Sequence, residues 1–200
     1  MLKFMAVTIL SFLCCSDGGG VVGHISVGND SAEEINPITW DECGHAIGEH
    51  PCDFTFVNQH GEEVALYDYV GQPLVIDMST MWCSFCGVAA LELTKIKGEY
   101  QNVNLDVVTL LFENGSREQP AVDELLYWAN TFSSEDNILS ASTDILSGDT
   151  DKGWPLEGWP TFYIVDEHMV IRGYMVGFHP EMLRETIEES LCLFGAPHSE

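Results

Sequence analysis

Positive charge is what this sequence has least of. Seven Lys and Arg stand against 32 Asp and Glu in 200 residues, a formal charge of -25. A surface of that sign repels phosphate backbones and anionic headgroups, which argues against nucleic-acid binding. The acidic residues are scattered rather than blocked, so they read as a solvated surface and not as a site for one basic partner. A long apolar run is also missing: the stretch from Phe4 to Leu13 is about half the ~20 residues that a membrane-spanning helix needs. No internal repeat is visible. What the chain does have is apolar material, 46% hydrophobic and 10% aromatic residues, too much for a disordered chain and enough for one domain with a core.

Lys3, the short apolar run and the abrupt polar segment Ser16-Asp17-Gly18-Gly19-Gly20 have the layout of a secretory signal over residues 1–15. Cys14 and Cys15 close the run, where they resemble the lipidated cysteine of a bacterial lipoprotein signal. Cys15 is the expected lipid-bearing residue and Cys14 its alternative, and simple cleavage without lipid stays open. Residues 16–42 are rich in Gly, Ser and acidic side chains and read as a flexible tether, 43–195 as the folded domain and 196–200 as a tail. The protein is therefore expected to be exported to the periplasm or cell envelope, with a lipid anchor as one form of it.

From Phe54 the texture becomes that of alternating structure. Phe54 to Val57 and Glu63 to Leu66 flank a turn at Asn58-Gln59-His60-Gly61 and predict a hairpin. Leu74 to Met78 is a short apolar run that suits a buried strand. Ala89, Leu93, Ile96 and Tyr100 recur at helical spacing, so a helix should open at or near Cys83. Leu105 to Phe112 predicts a strand. Pro120 suits a first helical turn, followed by an inward stripe of Val122, Leu125, Leu126 and Ala129. Thr161 to Val165 and Val170 to Met175 flank Asp166-Glu167-His168 and predict a second hairpin, and Leu183, Ile187 and Leu191 mark a closing helix. The order is that of an α/β layer fold with a mixed sheet.

Trp82-Cys83-Ser84-Phe85-Cys86 places two thiols three residues apart between a buried strand and a helix. The first sulfur then lies at the positive end of the helix, where unpaired backbone N–H groups stabilise a thiolate. The thiolate is the attacking species in disulfide exchange, and the second thiol, one turn on, can reach the first. A bare pair of this spacing also serves as half a zinc site, so its position carries the argument.

With that position the sequence resembles the thioredoxin superfamily, and within it the exported redoxins of the TlpA and ResA type, over roughly Phe54 to Leu193. The resemblance rests on the Trp82 to Cys86 motif, on Asp77 six residues before Cys83, and on Gly158-Trp159-Pro160-Thr161 entering an apolar strand. It implies a thioredoxin-like fold, a central mixed sheet flanked by helices with an N-terminal hairpin extension. Cys83 would be the nucleophile that forms a mixed disulfide and Cys86 the resolving thiol, the two forming the redox-active disulfide. Asp77 would be a buried carboxylate that takes the proton from Cys86. Pro160 would be a cis-proline beside the sulfurs, and Trp82, Trp159 and Thr161 would line the substrate groove, the backbone of Trp159 pairing with substrate as an added strand. Trp154-Pro155 has no strand after it. The sequence departs from the family in Ser84-Phe85, where thioredoxins have Gly-Pro, in Ala89 and Ala90, where the TlpA-like branch often has Glu, and in the bulk of Trp159.

The implied activity is thiol-disulfide exchange with exported protein thiols and disulfides and a further redox partner, by a monomer that needs no cofactor or metal. A thiol peroxidase is the alternative enzyme: Thr80 stands three residues before Cys83 as in peroxiredoxins, though Ile76 occupies the place of their proline. A binding or copper-delivery module of the same fold, its Cys pair holding the metal, is the non-enzymatic alternative, with His168 and His179 as available ligands. Cys43 and Cys52 bracket a short loop, and in an oxidising compartment they read as a structural disulfide; His45 and His50 between them leave a metal site open. Cys192 is expected to be a buried, inert thiol on the last helix. Asn29 and Asn114 fit glycosylation sequons.

Overall fold

A computed structural model describes residues 38–146 and 153–193. The signal at 1–15 with Cys14 and Cys15, the tether up to residue 37 with Asn29, and the tail at 196–200 lie outside the described residues. Trp40, inside the segment expected to be a tether, stacks on His50 with ring centroids 4.0 Å apart, and its indole N–H donates to the Tyr67 hydroxyl at 3.2 Å.

Thr55–Val57 (β1) and Glu63–Ala65 (β2) pair as the expected antiparallel hairpin. A turn of 3-10 helix follows at Leu66–Tyr69, its start held by the Asp68 carboxylate, which accepts from the Ala65 amide at 2.9 Å. The main sheet contains Leu74–Ser79 (β3), Asp106–Leu111 (β4), Asn137–Ser140 (β5), Thr161–Val165 (β6) and Ile171–Val176 (β7), in the spatial order β5-β4-β3-β6-β7. β4 runs parallel to β3 and to β5, whereas β6 is antiparallel to β3 and to β7. β3 is central and buried along its whole length, as a strand covered on both faces must be.

Ser84–Glu99 (α1), Val122–Phe132 (α2) and Pro180–Ser190 (α3) are the α-helices of the described residues. The connections β3-α1-β4 and β4-α2-β5 step across the sheet in the same direction. Right-handed crossovers must then leave both helices on one face. The two-residue strand period confirms it. Val75, Val107, Phe162 and Ile164 meet Ala89, Leu93 and Ile96 of α1 and Leu183 and Ile187 of α3, and Leu111 and Ile138 meet Leu125, Trp128 and Ala129 of α2. Leu74, Ile76, Met78, Val108 and Leu110 point the other way, onto Phe54, Leu66, Tyr69 and Trp154.

Three expectations are corrected. β5 has no counterpart in the sequence reading. It offers only Ile138 and Leu139 as apolar residues, and its outer side is satisfied by Gln59, which donates to Asp136 O at 2.8 Å and accepts from the Ile138 amide at 2.9 Å. The inward stripe of α2 is Leu125, Trp128 and Ala129, with Val122 and Leu126 exposed, because α2 starts after Ala121 and packs its i, i+3, i+4 set on Ala90 and Ile138. Cys192 follows the end of α3 in the left-handed region, φ 54°, where its side chain is exposed rather than buried, and it is disulfide-bonded rather than a free thiol.

Candidate active site

β3 delivers the chain to the end of the sheet, and α1 begins there with Cys83 as its N-cap. The Cys86 amide donates to Cys83 Sγ at 3.3 Å, so the thiol fills the place of the usual hydroxyl or carboxylate cap. No acidic residue occupies the first turn of α1. The free amides and the positive helix end there are placed to hold negative charge on sulfur. Cys83 is partly exposed, while Cys86, one turn on, is fully buried, and both are free thiols. Gly87 lets α1 approach α2: a Cβ at this position would stand 2.8 Å from the Phe132 ring.

Asp77 lies under Cys86 on the helix-bearing face of β3, with no exposed surface. It pairs in register with Thr109 on one side and Phe162 on the other. Burial pushes its carboxyl up from 3.8 to about 7, because removal from water penalises the charged form. Hydrogen bonds from the Ser79 hydroxyl at 2.6 Å and the Thr109 hydroxyl at 3.3 Å oppose that shift only in part. Burial also pushes the Cys86 thiol up strongly, assisted by its hydrogen bond with Cys83 and by the Asp77 charge, against the Thr80 amide and the Ser79 hydroxyl. Cys86 therefore holds its proton until a base accepts it.

The Trp159-Pro160 peptide bond is cis. Trp159 packs on Phe112 with centroids 5.3 Å apart and, with Cys83 and Met81, borders the apolar cluster that contains Cys86. Trp82 is 40% exposed; its indole N–H donates to Glu113 Oε2 at 2.6 Å, and the Arg117 guanidinium lies 4.2 Å above its ring. Thr161 is turned inward. It has no exposed surface, and its hydroxyl donates to Gly158 O at 2.8 Å, so its side chain shapes the loop instead of lining the groove. Sequence reasoning missed Ser79, Glu113 and the exposed apolar side chains Phe85 and Val88 on α1. The two α1 residues could have been found as apolar positions off the buried stripe; nothing in the sequence marks the other two.

Cys43 and Cys52 form a disulfide, which uses both sulfurs. The loop between them is paired to the start of β7, Gly48 N to Ile171 O at 2.8 Å and Ile171 N to Glu49 O at 2.9 Å. His50 Nδ1 donates to Met169 O at 2.8 Å. His45 sits against Trp154, and burial lowers its pKa to about 4. Among the described residues no group of three or more His, Cys, Asp or Glu is arranged to hold a metal ion, so neither His168 nor His179 joins the Cys83 and Cys86 thiols. The Asn114 amide is buried and donates to the Glu124 carboxylate. No helix of the described residues is long and apolar enough to cross a membrane.

Comparison with known proteins gives the same outline. The model of the AhpC/TSA family matches residues 47–174. The structure is similar to that of a thiol:disulfide interchange protein from Bacteroides sp., with a TM-score of 0.61 at 17% identity over 76% of this chain and 94% of that one. It is similar to the thioredoxin domain of a thiol-disulfide oxidoreductase from Bacteroides vulgatus, TM-score 0.59 at 18% identity, covering 72% and 96% of the two chains. It is also similar to the peroxidoxin BcpB of Mycobacterium tuberculosis, TM-score 0.59 at 15% identity, covering 76% and 99%. At these identities the likeness is one of fold, a thioredoxin-like sheet with a hairpin ahead of it. The comparison with curated proteins gives no match.

Proposed function

This chain belongs to the AhpC/TSA family, and from that membership we propose that it is a thiol-disulfide oxidoreductase of the cell envelope, exchanging disulfides with exported proteins through Cys83 and Cys86. The observation that carries the reading is the helix-capping sulfur of Cys83, 3.3 Å from the Cys86 amide, with a buried second thiol one turn behind and a carboxyl of raised pKa beneath it.

In this reading the Cys83 thiolate attacks a substrate disulfide, forms a mixed disulfide and releases the first substrate thiolate. Cys86 then gives its proton toward Asp77 and attacks Cys83 Sγ. The Cys83–Cys86 disulfide forms as the second substrate sulfur leaves, so two electrons pass from the dithiol to the substrate. Trp159 and Pro160 border the place where the substrate backbone lies, and Trp82 flanks the attacking sulfur. The protein acts as a monomer without cofactor or metal, exported by the signal at 1–15 and, where Cys15 is lipidated, anchored by it.

Insulin reduction by the full chain with dithiothreitol as electron source tests this. Turnover that disappears in Cys83→Ser supports the reading, and turnover unchanged in that variant contradicts it. One observation favours a second reading: Thr80 is fully buried, its hydroxyl has no hydrogen-bond partner, and it stands three residues before Cys83 as in a thiol peroxidase. Hydrogen peroxide consumption coupled to dithiothreitol, faster than insulin reduction and lost in Thr80→Val, would put that reading first.

A further inference from the structure

Most cations of this acidic chain are held by carboxylates. Lys97 donates to Asp106 and Asp136, Arg172 to Asp166, Arg184 to Glu92 and Glu99, and Lys95 to Glu92, all at hydrogen-bond distance. Arg117 is the cation among the described residues that no carboxylate holds so closely. Glu113 comes nearest, its Oε2 3.6 Å from Nη1, and that oxygen already accepts from the Trp82 indole at 2.6 Å. The Arg117 guanidinium lies instead over the Trp82 ring, 4.2 Å from its centroid, with 65% of the side chain exposed. The indole covers the planar fork and leaves its N–H donors to solvent.

The backbone that carries Arg117 is fixed. Buried Asn114 closes the loop after β4: its amide donates to Glu118 O at 2.7 Å, and its side-chain oxygen accepts from the amides of Ser116 at 2.8 Å and Glu118 at 3.0 Å. The Arg117 amide donates to Asn114 O at 3.1 Å, and Arg117 has a left-handed φ of 63°. A long side chain keeps that conformation only where its surroundings hold it. The Met81 amide donates to Glu113 O at 2.8 Å, which ties this loop to the turn bearing Trp82 and Cys83. Arg117 therefore presents its donors beside the nucleophile, where they meet a side chain about two residues along an extended substrate from its reacting sulfur, roughly 7 Å.

We propose that Arg117 is a specificity-determining residue that favours substrate disulfides carrying a carboxylate close to the reacting cysteine, an inference that rests on reading Cys83 and Cys86 as an exchange pair. The substrate Asp or Glu accepts from the guanidinium, whose forked donors match the two carboxylate oxygens, while the Cys83 thiolate attacks the substrate sulfur. The exchange itself is unchanged: two electrons pass from the dithiol to the substrate disulfide, and one substrate thiolate leaves at each step. A formal charge of -25 repels acidic chains at long range. Arg117 offsets that repulsion only for a carboxylate placed beside the sulfur, so it selects by position and not by net charge.

The test uses the reduced full chain and the symmetrical disulfide of the peptide acetyl-Xaa-Gly-Cys-Gly-Xaa-amide, with Glu or Gln as Xaa. Rate constants for oxidation of Cys83 and Cys86 are read by acid quench, alkylation and peptide mass. Arg117→Ala should cut the Glu-to-Gln rate ratio at least about threefold and leave the Gln rate within about twofold of wild type. Arg117→Met, which still covers the indole but has no charge, should give the same fall. Lys95→Ala removes the same unit of charge from α1 and should leave the ratio as in wild type. In about 1 M salt the wild-type ratio should drop to that of Arg117→Ala. A smaller fall in Arg117→Ala, equal slowing of both peptides, a ratio kept in Arg117→Met, the same fall in Lys95→Ala, or a ratio untouched by salt would each overturn the assignment. Wild-type protein whose Cys83 and Cys86 are oxidised by neither peptide would instead overturn the exchange reading itself.

Discussion

The amide of Cys86 donates to the sulfur of Cys83 at 3.3 Å, so the residue that would do the chemistry is also the cap of α1. The two roles separate by substitution. Ser at position 83 can cap the helix, whereas Ala cannot, and loss of a cap costs about 1 kcal/mol. Cys83→Ser should abolish disulfide exchange with unfolding stability close to wild type. Cys83→Ala should abolish it and also lose about 1 kcal/mol, measured by urea unfolding of the reduced proteins.

The buried carboxyl sets a pH dependence of stability. Asp77 keeps its proton to about pH 7 in the folded protein, against 3.8 ordinarily, so between those values the folded state binds more protons than the unfolded chain. Stability contributed by the neutral carboxyl is whole below the ordinary value and is lost as pH rises toward 7 and above. The loss is on the order of 4 kcal/mol at most. Asp77→Asn, which keeps polar partners for Ser79 and Thr109, should be more stable than wild type at pH 8 and near it at pH 4, while resolution by Cys86 slows. Urea unfolding at the two pH values checks the sign; a variant less stable than wild type at pH 8 would contradict it.

Much of this site can be read from the residues. A helix opening at or near Cys83 and a buried strand carrying Asp77 follow from where apolar runs begin and end, whereas the place of Asp77 beside the second sulfur and the proline loop before Thr161 come from the family resemblance. What cannot be read is tertiary. Asn137–Ser140 pairs with β4 because a neighbouring strand and Gln59 satisfy it, with little propensity of its own. Trp128 turns inward because Ala90 leaves room opposite. The bond from the Ser79 hydroxyl to Asp77 matters only once the sheet and α1 have buried both residues, and no local pattern announces that.

The Cys43–Cys52 bridge closes a loop with a sequence separation of 9, for which loss of unfolded-state entropy predicts about 2–3 kcal/mol. The double variant Cys43→Ser, Cys52→Ser should lose about that much in denaturant unfolding. Because the loop is paired to β7 and not to α1, the rate of exchange at Cys83 should stay within about twofold of wild type.

Glu113 holds the indole of Trp82 from below while Arg117 covers its face. A hydrogen bond to a charged acceptor at a partly exposed position contributes on the order of 1 kcal/mol. Glu113→Ala should free the ring, lower the anisotropy of Trp82 fluorescence measured against a Trp82→Phe control, and slow attack on a protein disulfide more than attack on a small aromatic one. Equal rates for both substrates would assign Trp82 to packing alone.

The nucleophile itself is reached most directly by trapping. Reduced Cys86→Ser protein is mixed with oxidised insulin, quenched with acid and mapped by peptide mass. The account predicts a single long-lived mixed disulfide on Cys83, absent from wild-type protein because Cys86 releases it. No adduct on Cys83, or an adduct that clears in Cys86→Ser as fast as in wild type, would contradict it.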